Sequence, residues 1–197
     1  MEHDIAAYFS TLSRLGAATA ASDASGGPLA LTEAFTWSLG AMRAAHDAGG
    51  KIMFIGNGGS AAIASHCAID YAKNGGLRAM AFNDGMALTC LGNDLGYDQV
   101  FAQQIAMHGQ PGDLLVAISS SGASPNILQA VGAARRLGGR VVTLSGFKPD
   151  NPLRRLGDVN LYVESIRYGF VEILHLALCH AMLDLAGACG AARPNER

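Results

Sequence analysis

Lys51-Ile52-Met53-Phe54-Ile55-Gly56 is a short apolar run that ends in glycine, and Asn57-Gly58-Gly59-Ser60-Ala61 follows it directly. A strand apolar at every position is buried on both faces, the condition of a strand inside a parallel sheet. The same pattern returns at residues 78–82, 113–118, 140–144 and 160–163, with helical stretches between. Parallel strands joined through helices require right-handed crossovers. The spacing therefore predicts an open, mostly parallel five-stranded sheet with helices on both faces, a flavodoxin-like or Rossmann-like α/β/α arrangement. Such sheets bind ligands beyond the carboxyl ends of their strands.

Outward from this core, two helical patterns precede the first strand, at about residues 2–22 and 30–48. The second follows Gly26-Gly27-Pro28 and is closed by Gly49-Gly50. The α/β core is expected to occupy about 51–188 and the tail 191–197 to be frayed. No low-complexity linker or 20–50-residue repeat interrupts the chain, so residues 1–197 read as one domain.

Composition narrows the function. The chain has 14 Lys plus Arg against 16 Asp plus Glu, a net charge of −2, so no basic surface speaks for nucleic acid. Only 15% of its 197 residues are charged, half are hydrophobic, and mean hydropathy is +0.22, which points to burial between subunits. The N-terminus shows neither a signal nor a transit pattern. The most apolar stretch, 171–190, carries Glu172, His175, His180 and Asp184, too many ionisable groups for a membrane span. Cys67, Cys90, Cys179 and Cys189 lack paired spacing, so a reducing cytoplasm is the expectation.

Two loops carry ligand-binding signals. In Ala117-Ile118-Ser119-Ser120-Ser121-Gly122-Ala123-Ser124-Pro125-Asn126, Ser124 stands where a helix N-cap belongs and Pro125 at the first helical position. Three hydroxyls and a flexible glycine ahead of a positive helix end suit a phosphate monoester, against the plainer reading of a capped serine-rich turn. No Lys-Ser/Thr ending is present, which removes the Walker loop. The other loop, Gly56-Asn57-Gly58-Gly59-Ser60-Ala61, formally satisfies G-x-G-x-x-A with Asp84 downstream, a weak dinucleotide match in a chain with 25 glycines.

A set of histidines and carboxylates adds chemistry. His66 and Asp70 lie four residues apart on the helix after the glycine loop, hence on one face, where they could hold one metal or one proton. Glu172, His175 and His180 interrupt the apolar last helix, and each needs a partner there. Cys67 and Cys179 adjoin His66 and His180 but point about 100° away, as small buried apolar residues would.

Gly56-Asn57-Gly58-Gly59-Ser60 after the first strand, Ser119-x-Ser121-Gly122-x-Ser124 after the third, and Gly92-Asn93-Asp94 with Gly96-Tyr97-Asp98 between them resemble sugar isomerase (SIS) domains. Within these the chain is most similar to the phosphoheptose isomerases, which interconvert sedoheptulose 7-phosphate and D-glycero-D-manno-heptose 7-phosphate. The resemblance implies a three-layer fold, a homotetramer with active sites at subunit boundaries, and zinc in many members. It puts sugar-binding groups at Asn57, Gly58, Gly59, Ser60, Asn93 and Asp94, and the phosphate loop at Ser119, Ser120, Ser121 and Ser124.

The family's metal-binding and acid–base pattern, His-x-x-x-Glu on one helix and Gln with His eight residues later on the last, falls on His66, Asp70, Glu172 and His180. Both histidines are kept, but Glu has become Asp70 and Gln has become Glu172. Asp70 reaches about 1.5 Å less far. Two imidazoles and two carboxylates suit zinc or another divalent ion, with Asp70 the position-matched base, Glu172 its substitute and His180 the partner acid or base. Glu172 and His180 are separated by about 12 Å of helical rise and offset by about 80°, whereas Glu172 and His175 form an easier i, i+3 pair. The resemblance favours His180, leaving His175 to support a ligand or to packing. The expected activity is aldose–ketose isomerisation of a phosphosugar. The alternatives are a non-catalytic SIS sensor or adaptor, an isomerase of another phosphosugar and, last, a dehydrogenase.

Overall fold

A computed structural model describes residues 1–188; Cys189 and the tail 191–197 lie outside the described residues. The elements in chain order are α1 (Glu2–Ala17), β1 (Ala20–Asp23), β2 (Pro28–Leu29), α2 (Leu31–Asp47), β3 (Ile52–Gly56), α3 (Gly59–Lys73) and β4 (Ala79–Ala81). There follow α4 (Gly85–Leu95), α5 (Val100–His108), β5 (Leu114–Ser119), α6 (Pro125–Arg136), β6 (Arg140–Ser145), β7 (Val159–Tyr162) and α7 (Tyr168–Ala188).

The sheet order is β2-β1-β7-β6-β5-β3-β4. The five strands expected from the apolar runs are the parallel part, and β1 and β2 extend it antiparallel past β7. The sheet thus has seven strands instead of five. Likewise the first helix ends at Ala17 instead of running to residue 22. The alanine-rich segment is helix-prone by propensity, yet Ala20 to Asp23 pairs along β7 from Tyr162 to Val159, and edge pairing outweighs a few tenths of a kcal/mol of propensity per residue. Asp23 closes the hairpin by accepting from the Ser25 and Gly27 N–H groups at 2.8 and 2.9 Å, with Gly26 at φ +83°.

Alternation along the strands divides the core. Ile52, Phe54, Leu114, Val116 and Ile118 face the layer of α1, α2, α3 and α7; Met53, Ile55, Leu115 and Ala117 face α5 and α6. This is a three-layer α/β/α fold. From β3 the chain leaves through α3 to β4 on one side, while β5 lies on the other side and is followed by α6 on the opposite face. The carboxyl ends of β3 and β5 therefore bound the crevice where the winding reverses, and both ligand-type loops open into it.

By length and composition, residues 168–186 of α7 could cross a bilayer, with a mean hydropathy of 1.5. Its Phe170, Val171, Leu174, Cys179 and Met182 are instead buried in the α1–α3 side of the core. By contrast α4 buries none of its residues, and Ile5, Phe9, Ile69, Met86 and Tyr97 stand more than half exposed.

Candidate active site

The glycine loop turns sharply at the end of β3. A Cβ on Gly56 would meet the Ser60 backbone at 2.5 Å, and Gly58, the N-cap residue of α3, sits at φ +53°. Gly59 has no room for a side chain because the Glu172 carboxylate from α7 occupies that space.

Across the crevice, Ser119 and Ser120 are buried at the end of β5. Ser119 Oγ lies 3.2 Å from Ser124 Oγ and 3.5 Å from Ser121 Oγ, and the Gly122 N–H donates to the Ser119 carbonyl at 3.0 Å. Gly122 is at φ +62° with the Asn151 amide packed where its Cβ would be. Ser124 holds the N-cap position, but its hydroxyl makes no cap bond to α6; it turns back toward Ser119. Hydroxyls thus converge beside a helix start whose side-chain cap is missing, the arrangement an anion takes up. Ser120 Oγ is buried without a partner.

The two loops and α7 enclose a cavity of about 330 Å³, lined by residues 57–60, Ser119, Ser120, Ser121, Ser124, Tyr168 and Glu172. Its size is that of a small-molecule site. Nine of the sequence-derived residues line it. Asn93 and Asp94, at the exposed end of α4, bond to each other at 2.8 Å and are not among its lining residues.

A second group lies where α3 packs on α7. Tyr71 donates to the Cys179 carbonyl at 2.7 Å, fixing the register that sets Asp70 against His180. His66 Nε2 and His180 Nε2 are 3.0 Å apart, and His180 Nδ1 is 3.3 Å from Asp70 Oδ2. Asn74 donates to the other oxygen, Asp70 Oδ1. One ligand atom from each of His66, Asp70 and His180 falls within 4.8 Å of the others. Two imidazoles and a carboxylate fit a zinc-type site with an open position, in which ligand atoms stand about 3.3 Å apart. Glu172 is not part of this group; two turns earlier on α7, its carboxylate lies in the cavity instead. The helical rise between Glu172 and His180 produces that division.

Cys67 and Cys179 are buried free thiols; the Cys67 thiol beside it, together with burial, pushes the Cys179 thiol well up, which keeps it inert. His175 is fully buried, with Nε2 3.1 Å from the Ser145 carbonyl. Burial pushes it down to about 4, against a partial opposing effect of that hydrogen bond. Its folded value is below the unfolded one near 6.5, so the stability contributed by a neutral His175 is present above pH 6.5 and lost as pH falls through 4. Wild type should lose about 3 kcal/mol of unfolding free energy over that window relative to His175→Asn. Parallel pH profiles in urea titrations would refute it.

Sequence reasoning did not find Asn126, Tyr168, Tyr97 or Asn74 as site residues. Tyr168 precedes Glu172 by four positions on one helix face, a signal that was available. The contact of Asn126 with Asn57 spans 69 residues and had no local signature.

Residues 32–146 match the SIS domain family. The phosphoheptose isomerase of Rhodospirillum rubrum is 39% identical over 155 residues, which cover 75% of this chain and 81% of that relative. Among solved structures, phosphoheptose isomerase GmhA from Neisseria gonorrhoeae is 35% identical with a TM-score of 0.82, covering 94% of this chain and 98% of that one. A phosphoheptose isomerase from Francisella tularensis is 29% identical with a TM-score of 0.81, covering 95% and 98%. The serine loop, the glycine loop and the paired histidines stand on a chain that belongs to the SIS-domain family and, within it, to the phosphoheptose isomerases.

Proposed function

We propose that this protein is an aldose–ketose isomerase that converts D-sedoheptulose 7-phosphate to D-glycero-D-manno-heptose 7-phosphate through an enediolate. The observation that carries the reading is the pairing, at the β3/β5 crevice, of an anion-type serine loop with the Glu172 carboxylate in one cavity. Ser119, Ser120, Ser121 and Ser124 hold the phosphate, and binding energy from that remote group orients the sugar against residues 57–60.

The same geometry supports separate roles for the two carboxylates. Both oxygens of Asp70 are engaged, one by Asn74 and one by His180 Nδ1, so Asp70 orients the imidazole. Glu172, open to the cavity, moves the proton between C1 and C2. His180, with Nδ1 directed to Asp70, has Nε2 free beside His66 Nε2 at 3.0 Å, and that nitrogen is the partner acid without an ion and a ligand with one. His66, Asp70 and His180 would hold a zinc or similar divalent ion, which supplies Lewis-acid polarisation of the carbonyl when bound.

A cytoplasmic homotetramer completes the proposal. The bare α4 and the exposed Ile5, Phe9, Ile69 and Met86 supply apolar surface for subunit contacts, and Asn93 and Asp94 on α4 would join the sugar site at such a boundary. The free thiols of Cys67, Cys90 and Cys179 suit a reducing compartment. Purified protein incubated in D2O with heptose, hexose and pentose phosphates should isomerise the seven-carbon ketose preferentially, with deuterium entering at the exchanging carbon. Preference for a shorter sugar, or binding without turnover, would overturn the assignment.

A further inference from the structure

The side chain of Asn57, expected to bind a sugar hydroxyl, is committed elsewhere. Its Nδ2 donates to Asn126 Oδ1 at 2.9 Å, and its Oδ1 accepts from Asn126 Nδ2 at 2.8 Å and from the Tyr97 hydroxyl at 3.3 Å. Asn126 is buried, 2% exposed, and its Oδ1 also accepts from the Ile127 N–H at 3.0 Å. A carboxamide has two acceptor sites and two N–H donors. Both acceptor sites of each amide are filled, and each retains one N–H.

We propose that Asn126 is a positioning residue that latches the glycine loop to the serine loop and leaves Asn57 able only to donate, through one N–H, to a ligand oxygen. Gly56 and Ile118 are the last residues at which β3 and β5 pair; beyond them the two loops share no ladder. The amide pair restores a reciprocal, half-buried connection there. Asn126 stands at the second position of α6, so the latch also ties the glycine loop to the helix start that faces the anion. A phosphosugar bridging both loops senses their separation, whereas inorganic phosphate, held by the serine loop alone, does not.

This inference rests on the phosphosugar reading, and a binding experiment keeps the two separable. Calorimetric affinities for sedoheptulose 7-phosphate and for inorganic phosphate are measured on wild type, Asn57→Ala, Asn126→Ala and the double variant. Asn126→Ala should weaken the phosphosugar about tenfold and inorganic phosphate less than about twofold, and the double variant should bind the sugar no more weakly than Asn57→Ala. Equal losses for both ligands would mean that Asn126 merely supports α6, and additive losses or no loss would equally overturn the latch. Asn126→Leu is isosteric and neutral, removes both bonds to Asn57 and leaves the Ile127 N–H on the Ser124 carbonyl, so it provides the same comparison if the alanine variant does not fold; it should weaken the sugar selectively. Wild type that binds phosphate but not the sugar would instead refute the phosphosugar reading itself.

Discussion

Glu172→Gln should reduce isomerisation at least about a thousandfold while phosphosugar affinity stays within about threefold of wild type. Glutamine preserves the length of the side chain against Gly59, so the cavity keeps its shape. It cannot take a proton from carbon, and a positioned general base contributes about 10²–10⁴ in rate. The substitution also restores the residue that the family pattern has there. If the base has moved from α3 to α7, installing Gln alone removes the carboxylate that lines the cavity, whereas Asp70→Glu with Glu172→Gln returns the family arrangement. The double variant should then regain at least about tenfold over Glu172→Gln alone. Near-wild-type turnover in the single variant would return the proton transfer to Asp70, and a double variant as slow as the single one would deny the exchange of roles.

That exchange was half visible in the sequence. The His66–Asp70 spacing placed both side chains on one helix face, and the rise and offset between Glu172 and His180 already argued against one ion joining them. What residue order could not supply was the packing of α3 on α7, set by Tyr71 on the Cys179 carbonyl, nor Asn74 occupying the second oxygen of Asp70. The parallel strands were legible because strands buried on both faces must be apolar throughout, as Ile52 to Gly56 and Leu114 to Ser119 are. β1 was not, since Ala20 and Ala21 carry no strand signal of their own and become a strand only against β7. The serine loop was legible from Pro125 at the first helical position. The direction of the Ser124 hydroxyl, toward Ser119 instead of the helix, was not, because it depends on a neighbour in space.

His180→Ala should likewise cost at least about a thousandfold in turnover, and for two separable reasons. The imidazole is a candidate ligand beside His66 Nε2 at 3.0 Å and a candidate acid oriented by Asp70 at 3.3 Å. His66→Ala removes only the first role, so it should lose the divalent ion to the same extent, as metal analysis of the purified protein would report, yet remain about tenfold or more faster than His180→Ala. Thermal unfolding gives a readout independent of activity. A chelator should lower the melting temperature of wild type, because an ion bound to the folded state alone stabilises it by mass action; zinc should restore it, and neither histidine variant should respond. Equal rates in the two variants would reduce His180 to a ligand. A wild type whose melting temperature and turnover ignore the chelator would remove the ion from the site, leaving the 3.0 Å histidine pair as a hydrogen bond and Asp70 as the group that orients it.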